Sequence, residues 1–326
     1  MTLFLTDDDV RATFDWPSAI AALRDAYSAP VNEASFPART MARGDGTWLR
    51  TLSGVAPDGE IMGAKLIAAS TRSGYAAYLI PLFDQHSVEL VALLDGNAIT
   101  GFRTAATSAL AIDALAPQAR VSVSVIGSGF EATSHARAVA AVRDVSSITV
   151  YSPNPASRAR YVERLQDLGV SIRAAERPDA AVAGTDVVIC AARSRDETPT
   201  FCGAWLRAGM TVVSIGSTLP EQRELDPAAI DAADLIVADV MAEVTDQTGD
   251  MITARQAQVP FDGKMVALGD VLAGRRPGRR SASDVVLYKS VGSALQDLAV
   301  ASLCFRRAVE QALGTTLPVS VARVAK

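Results

Sequence analysis

The amino-acid sequence predicts an α/β protein with a doubly wound parallel sheet and a second, α+β domain. The chain has 326 residues, which is long for a single hydrophobic core. From Val121 to Ala238, short β-rich runs alternate with helical or loop segments, a pattern typical of a parallel sheet. From Ala38 to Leu94, short strand-like runs are instead broken by turn signals, which indicates hairpins.

The first domain is predicted to begin with two short helices. Thr6 followed by Asp9 is a variant of the capping box, with a carboxylate near the positive end of a helix. Pro17 suits the first turn of the next helix. The glycine- and proline-containing segments 44–46 and 57–59 predict turns between the strands that follow.

The second domain is predicted from its alternating strands and helices. An alanine-rich helix over residues 99–116 precedes it, and an apolar strand over residues 121–126 opens it. Further strands are expected at residues 148–151, 170–174, 187–191, 211–215 and 235–238. The last helix, over residues 293–313, is expected to return to the first domain. The predicted domains are residues 1–117 with 293–326, and residues 118–292.

Composition and charge exclude several classes of protein. The formal net charge of -5 argues against a nucleic-acid or anionic-membrane partner, and no apolar run approaches the roughly 18 residues of a membrane span. Without the basic and apolar regions of a signal peptide, and with only the scattered cysteines Cys190, Cys202 and Cys304, the chain is expected in the reducing cytoplasm. His86 and His135 form no ligand-spaced cluster, so no metal site is expected.

A glycine turn follows the strand at 121–126 and opens a helix. It reads Gly127-Ser128-Gly129-Phe130-Glu131-Ala132, a match to G-x-G-x-x-A. The first glycine allows a tight turn, the second allows close approach of a pyrophosphate, and the small alanine allows helix–strand packing. Glycine turns also arise by chance, but this one begins a series of β/α units. The sequence therefore predicts a Rossmann-type dinucleotide site with phosphates at a helix N-terminus.

The second strand of this domain indicates which dinucleotide is bound. An NAD-type site places an acidic residue about 20 residues beyond the glycines, and this chain has none in the segment 151–158. Ser152, Asn154 and Arg158 are instead suited to surround a 2′-phosphate. The alternative is that Ser152 and Asn154 are plain turn formers and Arg158 is a solvated helix residue. We favour NADP over NAD because the carboxylate is missing.

Five segments resemble the signature of the ornithine cyclodeaminase/mu-crystallin family. Residues 95–106 are similar to its D-G-x-x-x-T-x-x-R-T-A-A element. The other four resemble its P-x-R, G-x-K, K-S-V-G and E-D-L elements and lie at residues 37–39, 63–65, 289–292 and 296–298. The resemblance covers essentially the whole chain in the family's order.

The resemblance implies a homodimer formed through the first domain, and it implies roles for matching residues. Arg39 and Arg103 are expected to grip the substrate carboxylate, and Lys65 to face the reacting carbon. Val291 is expected beside the substrate and Ser290 near the nicotinamide. The other residues expected to border the cofactor are Arg103, Ala192 and Ser217.

The residue types fit these roles. Two guanidinium groups hold a planar carboxylate well. Lys65 stands before the apolar run 66–69, where desolvation lowers the pKa of an ammonium group and suits it to move a proton. The alternative is that these are edge-strand or surface cations. The basic run 275–280 is predicted to be a solvated loop rather than a phosphate site.

One departure from the family pattern bears on the reaction. True ornithine cyclodeaminases carry an acid where this chain has Thr218, within the segment 216–220. A hydroxyl orients a ligand but is too weak an acid to carry the proton. Residues 50–51 also replace a methionine-proline element, so the substrate pocket is altered. Its candidate lining residues are Trp48, Tyr75 and Tyr78.

The sequence therefore predicts an oxidoreductase that reversibly transfers hydride between NAD(P)H and the C=N carbon of an α-imino acid, giving an L-amino acid. The imine is a cyclic ketimine or forms from a 2-oxo acid and an amine. One alternative is an ornithine cyclodeaminase, a lyase that recycles bound NAD, and Thr218 argues against it. The other is a protein that binds NADPH and a small carboxylate without turnover, and Lys65 argues against that.

Overall fold

The computed structural model describes residues 2–194, 196–318 and 320–325. The chain divides into two compact units, Met1–Arg103 with Ser293–Lys326, and Thr104–Gly292. The division falls inside the helix Asn97–Leu115, whereas the predicted boundary at residue 117 lies just beyond that helix.

The first unit contains a seven-stranded mixed sheet. Its strands are β1 (Leu3–Leu5), β2 (Thr40–Gly44), β3 (Thr47–Val55), β4 (Ile61–Ser70), β5 (Tyr75–Asp84), β6 (Leu90–Asp95) and β15 (Thr315–Thr316). Their order is β15-β1-β6-β5-β4-β3-β2. Only the β1–β6 pair is parallel, and the other pairs are antiparallel.

The first unit also contains helices. They are α1 (Asp7–Thr13), α2 (Trp16–Ser28), the beginning of α3 (Asn97–Leu115) and α11 (Ala294–Glu310). Of these helices, α1 and α11 contact the sheet. Helix α11 packs against α2, β3 and β4. It is amphipathic, with buried residues such as Leu295, Leu298 and Cys304 recurring at helical spacing. The last helix of the chain thus returns to the sheet formed by its beginning.

Local signals in the first unit are confirmed. The Thr6 side chain accepts from the Asp9 backbone, and the Asp9 side chain accepts from the Thr6 backbone, which completes the capping box. Pro17 lies in the first turn of α2, and residues 44–46 and 57–59 lie at the β2–β3 and β3–β4 connections. The sequence prediction missed β1, because so short a strand forms only through its pairing with neighbouring strands, here β6 and β15.

The second unit contains an eight-stranded sheet in which every pair is parallel. Its strands are β7 (Arg120–Ile126), β8 (Asp144–Tyr151), β9 (Ser171–Ala174), β10 (Val187–Cys190), β11 (Thr211–Ser214), β12 (Leu235–Ala238), β13 (Met265–Ala267) and β14 (Val286–Lys289). Their order is β13-β12-β14-β11-β10-β7-β8-β9. The sequence analysis did not delimit β13 or β14.

Helices connect these parallel strands. They are the remainder of α3, α4 (Phe130–Ala140), α5 (Pro155–Arg164), α6 (Pro178–Val182), α7 (Pro227–Ala232), α8 (Met241–Gln247), α9 (Gly249–Gln256) and α10 (Leu268–Leu272), with short 3₁₀ turns at Gln166–Leu168, Gly203–Trp205 and Asp262–Lys264. From β7 the chain moves outward through β8 to β9, then returns to β10 on the other side of β7. In doubly wound sheets the crevice at such a reversal receives the ligand.

The basic run 275–280 is only partly the solvated loop that the sequence predicts. Arg275, Arg276 and Arg280 are exposed. Arg279 is instead half-buried, and its guanidinium donates to the Leu115 carbonyl at 2.7 Å and to Thr211 Oγ1 at 2.8 Å. These hydrogen bonds of Arg279 therefore attach the segment 275–280 to the C-terminal end of α3 and to β11.

Across the part of the chain that the structure describes, every helix falls short of the length and apolarity that a bilayer crossing requires.

Candidate functional site

The glycine turn joins β7 to α4. Gly127 has φ +124°, and a Cβ there would lie 2.5 Å from the Ala191 carbonyl oxygen, so only glycine fits. Gly129 is the N-cap residue of α4 and offers no side-chain cap, and a Cβ on it would meet nothing within 4 Å. The backbone N–H groups at the start of this 11-residue helix form the positive end of the helix dipole, which suits an anionic phosphate. Ala132 is fully buried, as close helix packing requires.

The parallel sheet gathers the predicted cofactor residues at one edge. The predicted residues follow β7, β8, β10, β11 and β14, either directly or within the loop after the strand. In that order they are Gly127, Ser152, Ala192, Ser217 and Ser290. Because all these strands are parallel, their carboxyl ends share this edge. The second unit therefore groups residues that are far apart in sequence.

The residues predicted to surround a 2′-phosphate follow β8. The Asn154 side chain caps α5, accepting from the backbone of Ala156 and Ser157 at 2.9 and 3.2 Å. Arg158 Nη1 donates to the Ser152 carbonyl at 2.6 Å. Asn154 is thus a turn former, as the alternative reading held, whereas Arg158 is bound to the β8 loop rather than freely solvated.

Asp239, which the sequence analysis missed, organises the segment after β14. This residue directly follows β12, and its carboxylate accepts from Ser290 Oγ at 2.7 Å. It also accepts from the backbone N–H groups of Val291 and Gly292, at 3.0 and 2.7 Å. The carboxylate therefore fixes the turn that carries Ser290 and Val291. Only the pairing of β12 with β14 brings Asp239 to this turn.

A buried charged group lies beneath the same edge, and we call Ser214, Glu224, Asp250 and Lys289 the Lys289 cluster. The last three are fully buried. Lys289 Nζ lies 2.7 Å from Asp250 Oδ2 and donates to Ser214 Oγ at 2.8 Å. The Ser214 hydroxyl donates to Glu224 Oε2 at 2.7 Å. Burial raises the pKa of Glu224 to about 7, although Lys289 and the hydrogen bonds oppose this.

Thr218, which the sequence resemblance places where other family members carry an acid, lies in the loop after β11. Its hydroxyl donates to Gln222 Oε1 at 3.1 Å, and the neighbouring Ser217 hydroxyl donates to the Gln222 carbonyl at 2.6 Å. Ser217 is fully buried. Both hydroxyls thus shape their own loop.

In the first unit, Lys65, Arg103, Gln296 and Asp297 form a second buried group, the Lys65 cluster. Lys65 Nζ donates to Asp297 Oδ1 at 2.7 Å, and Arg103 Nε lies 3.0 Å from the same oxygen. Arg103 Nη1 also donates to Gln296 Oε1 at 2.5 Å. Lys65 and Asp297 are 1% and 0% exposed. Two cations therefore converge on one carboxylate.

The environment of Lys65 suits it to exchange a proton. Burial, aided by the positive charge of Arg103, lowers the pKa of Lys65 to about 7, while Asp297 opposes this. Arg39 also lowers this pKa through its charge, so Arg39 acts electrostatically on the same group. Asp297 was missed as a functional residue, although it carries a carboxylate among the apolar residues of α11.

The register of β3, β4 and β5 places the candidate pocket residues on two different faces of the sheet. Leu52 and Ile67 share the sheet face of Lys65, because Leu52 pairs with Lys65 and Ile67 is two residues further along β4. Trp48 and Tyr78 pack against Leu52 and Ile67 on that face. Tyr75 pairs with Ser70 on the opposite face and is 79% exposed. The structure thus brings Trp48 and Tyr78 toward Lys65 but not Tyr75.

The fold and these residues define a class. It is a Rossmann-type α/β protein whose parallel-sheet unit is accompanied by a mixed-sheet unit with a buried lysine–aspartate–arginine cluster. Within the described ranges, no group of three or more His, Cys, Asp or Glu side chains is arranged to hold a metal ion.

The chain belongs to the ornithine cyclodeaminase/mu-crystallin family, whose model matches residues 64–312. The family resemblance and the predicted fold class are thus confirmed. An uncharacterized cyclodeaminase of Sinorhizobium fredii is 32% identical over 73% of this chain and 71% of its own. A Delta(1)-pyrroline-2-carboxylate reductase of Bacillus cereus is 29% identical over 73% of each chain. The Thermococcus litoralis Delta(1)-pyrroline-2-carboxylate reductase, solved with NADH and L-proline, is 27% identical with TM-score 0.89, covering 97% of this chain and 100% of its own.

Proposed function

We propose that this protein is an NAD(P)H-dependent oxidoreductase that reversibly reduces the C=N bond of an α-imino acid to an L-amino acid. The observation that carries the proposal is the Lys65 cluster, in which a buried amine with a pKa of about 7 shares one carboxylate oxygen with a guanidinium. Such an amine is protonated or neutral at working pH, so it serves either direction of the reaction.

In this proposal the first unit binds and protonates the substrate. Arg103, with Arg39, holds the α-carboxylate, and two guanidinium groups fix its plane. The Lys65 ammonium donates a proton to the imine nitrogen during reduction and accepts it back during oxidation. Asp297 holds the Lys65 ammonium in place by a hydrogen bond and partly offsets the positive charge of Arg103. The apolar side chains of Trp48 and Tyr78 exclude water from the same sheet face.

The second unit supplies the cofactor side. The positive end of α4 and the open space beside its N-cap residue Gly129 fit a pyrophosphate, next to Ser128, Phe130 and Glu131. Ser290 and Val291, held by Asp239, are assigned to the nicotinamide end. The nicotinamide ring, when bound, supplies the hydride.

We propose NADP(H) rather than NAD(H) as the preferred cofactor. The support is that the segment after β8 contains no carboxylate to bind a ribose hydroxyl, while Arg158 is held at that loop by Ser152. Arg158→Ala is expected to raise the KM for NADPH about tenfold, as loss of a charge-assisted contact does, and to leave the KM for NADH unchanged. A variant that affects both cofactors equally would contradict the preference.

The named relatives support an imino-acid substrate. The Bacillus cereus relative is a reductase of pyrroline-2-carboxylate, and the Thermococcus litoralis reductase was solved with L-proline. We therefore place cyclic ketimines first among the substrates, followed by imines of 2-oxo acids with amines.

A cyclodeaminase remains the rival, because the Sinorhizobium fredii relative carries that name. That lyase reaction needs an acid where this chain has Thr218, and the Thr218 hydroxyl is bound to Gln222 in its own loop. A threonine hydroxyl does not ionise at neutral pH. We therefore rank cyclodeamination of ornithine below imine reduction.

The test follows the absorbance of NADPH and NADH with pyrroline- and piperideine-2-carboxylate and with 2-oxo acids plus amines. Cofactor consumption is expected in the wild type and in the control variant Lys264→Met, whose lysine donates to the Asp231 carbonyl at 2.6 Å. It is expected to be lost in Lys65→Met. Ammonia release from ornithine, without cofactor consumption on any imine, would restore the cyclodeaminase. Cofactor binding with neither reaction would favour a binding protein.

We also propose a homodimer formed through the sheet face opposite Lys65. That face exposes Leu49 and Leu79, at 46% and 37%, and an exposed apolar sheet face favours burial against a second copy. Leu79→Asp is expected to give monomers in analytical ultracentrifugation. Val88→Asp, at an exposed turn residue, is the control, and an unchanged Leu79→Asp dimer would exclude this face.

A cytoplasmic location completes the proposal. Its support is that Cys190, Cys202 and Cys304 are free thiols, which persist in a reducing compartment. Cell fractionation with an antibody to the protein tests it, and recovery outside the cytoplasm would contradict it.

A further inference from the structure

Two loops at the carboxyl edge of the parallel sheet converge on one buried carboxylate. Glu224 Oε2 accepts from the Gly216 N–H at 2.8 Å and from Ser214 Oγ at 2.7 Å. Glu224 Oε1 accepts from the Ala192 N–H at 3.3 Å. Ala192 belongs to the loop after β10, and Gly216 to the loop after β11. The carboxylate therefore ties these two loops together.

The hydrogen bonds of Glu224 favour its ionised form, against the burial that raises its pKa. Each of the three groups that face its oxygens donates a hydrogen, so the O–H of a protonated carboxyl would be directed at a donor. The approach is also close, because a Cβ on Gly216 would lie 2.5 Å from Glu224 Oε1. Because Gly216 has no side chain, the Glu224 carboxylate can lie directly against the loop after β11.

The rest of the Lys289 cluster holds this carboxylate in place. Ser214 Oγ accepts from Lys289 while donating to Glu224. Lys289 Nζ also donates to the Ser217 carbonyl at 3.3 Å, so it reaches the loop after β11 directly. Asp250 Oδ1 accepts from the Glu224 backbone N–H at 2.8 Å. The cluster therefore fixes both the side chain and the backbone of Glu224.

We propose that Glu224 is a positioning residue for the nicotinamide half of the cofactor site. Its carboxylate, held by Ser214 and Lys289, keeps the loops after β10 and β11 in the shape that receives that half. The inference rests on the proposed function. Each half of a doubly wound sheet binds one mononucleotide, and the glycine turn and Arg158 belong to the half formed by β7, β8 and β9. The loops tied by Glu224 belong to the other half.

The charge of Glu224 changes in the neutral range, which gives the proposal a readout. Burial raises the pKa of Glu224 to about 7, Lys289 lowers it and Asp250 raises it. The other titratable group nearby, the Cys190 thiol, has a pKa raised well above its usual value by burial and by Glu224, so it stays neutral. Since the ionised form ties the loops, cofactor affinity is expected to strengthen as pH rises through about 7.

The experiment is a calorimetric titration of the full chain with NADPH, NADH and ADP, from about pH 6 to about pH 8, on either side of the Glu224 pKa. At the higher pH, Glu224→Gln is expected to weaken binding of both reduced dinucleotides about tenfold, as loss of a hydrogen bond to an ionised group does. ADP, which lacks the nicotinamide half, is expected to bind unchanged. The pH dependence of dinucleotide binding is expected to disappear.

Two further variants complete the design. Ser214→Ala removes one donor to Glu224 and is expected to shift dinucleotide affinity in the same direction by a smaller factor. If thermal unfolding shows that Glu224→Gln does not fold, the binding measurements on Ser214→Ala test the proposal instead. Asp186→Asn is the matched control, because Asp186 accepts from Ser122 at the opposite edge of the same sheet. Asp186→Asn is expected to leave the affinities for NADPH, NADH and ADP unchanged.

The outcomes separate this proposal from the proposed function. A wild type that binds neither NADPH nor NADH overturns the proposed function itself. A wild type that binds them while Glu224→Gln and Ser214→Ala keep both the affinity and its pH dependence overturns only the role of Glu224. Equal loss of ADP and dinucleotide binding in these variants also overturns it, because a general loss of structure would then explain the effect.

Discussion

The Lys65 cluster and the Lys289 cluster are both buried ion groups, but their charges are balanced in opposite ways. In the first unit, Lys65 and Arg103 share one carboxylate, Asp297. In the second unit, Lys289 faces two carboxylates, Asp250 and Glu224, the latter through Ser214. Each lysine is at most 1% exposed. One cluster therefore has a surplus cation and the other a surplus carboxylate.

The difference separates a site for chemistry from a framework. Among the described residues, Asp297 Oδ2 has no hydrogen-bond partner, and the surplus positive charge beside it suits an anionic substrate. Both oxygens of Glu224 are instead engaged by backbone and hydroxyl donors, and such hydrogen bonds rigidify the segments that supply them. The same substitution in the two clusters should thus have different consequences.

The largest expected effect is on catalysis by the Lys65 cluster. Lys65→Met removes the proton donor, and kcat for imine reduction should fall by about 10²–10⁴-fold, the usual contribution of a general acid. Steady-state kinetics with Lys264→Met as control measures it. A kcat within a factor of about two of the wild type, well below any general-acid contribution, would remove Lys65 from the mechanism.

The next effect is on the stability of the Lys289 cluster. Lys289→Met leaves Asp250 and Glu224 buried without a cation, and breaking a buried pair in this way costs about 3–5 kcal/mol. Lys65→Met should cost much less, because Asp297 keeps Arg103. Urea unfolding of the two variants tests the contrast. Equal losses of unfolding free energy in the two variants would contradict the difference that we infer from the charges of the two clusters.

A third effect is the pH dependence of stability. The folded pKa of Glu224 is raised from 4.5 to about 7, so its contribution is full below the unfolded pKa and is lost as pH rises through about 7. In the wild type, the free energy of unfolding should decline by on the order of 3 kcal/mol between the unfolded and the folded pKa of Glu224. Glu224→Gln should remove this decline. Unfolding free energies of wild type and variant across this range measure it, and identical slopes would contradict the assignment.

The smallest expected effect is a displacement of the pH–rate profile. Imine reduction needs the Lys65 ammonium, so kcat/KM should fall as pH rises through about 7, and amino-acid oxidation should rise over the same range. Asp297→Asn removes the carboxylate that raises the pKa of Lys65, so the decline should move to lower pH. The Asp186→Asn profile serves as reference. A shift to higher pH would contradict the electrostatic account.

Much of the fold could be predicted from the sequence because its signals are local. The capping box at Thr6, the turn at residues 57–59 and the glycine turn at Gly127 can each be recognised from neighbouring residues in the sequence. The short strands β1 and β13 could not be predicted, since three residues carry no periodicity. They exist because a longer strand is beside them.

The candidate site divides in the same way. Lys65 and Arg103 were found through motif resemblance, whereas Asp239 and Glu224 were not found at all. Nothing near Glu224 in the sequence distinguishes it from Glu221, which is exposed. Burial and three donors make Glu224 different, and these come from segments tens of residues apart, as with Ala192.

The sequence by itself determined the alternation of strands and helices after Val121, the dinucleotide-type turn and the family, because these are written in short motifs and in short-range spacing. Only the tertiary structure decided that Asp297 neutralises part of the charge around Lys65, and that Glu224 and Lys289 share one buried network. The physical reason is desolvation. A charged group acquires its pKa and its partners from everything packed around it, and most of that packing comes from residues distant in the chain.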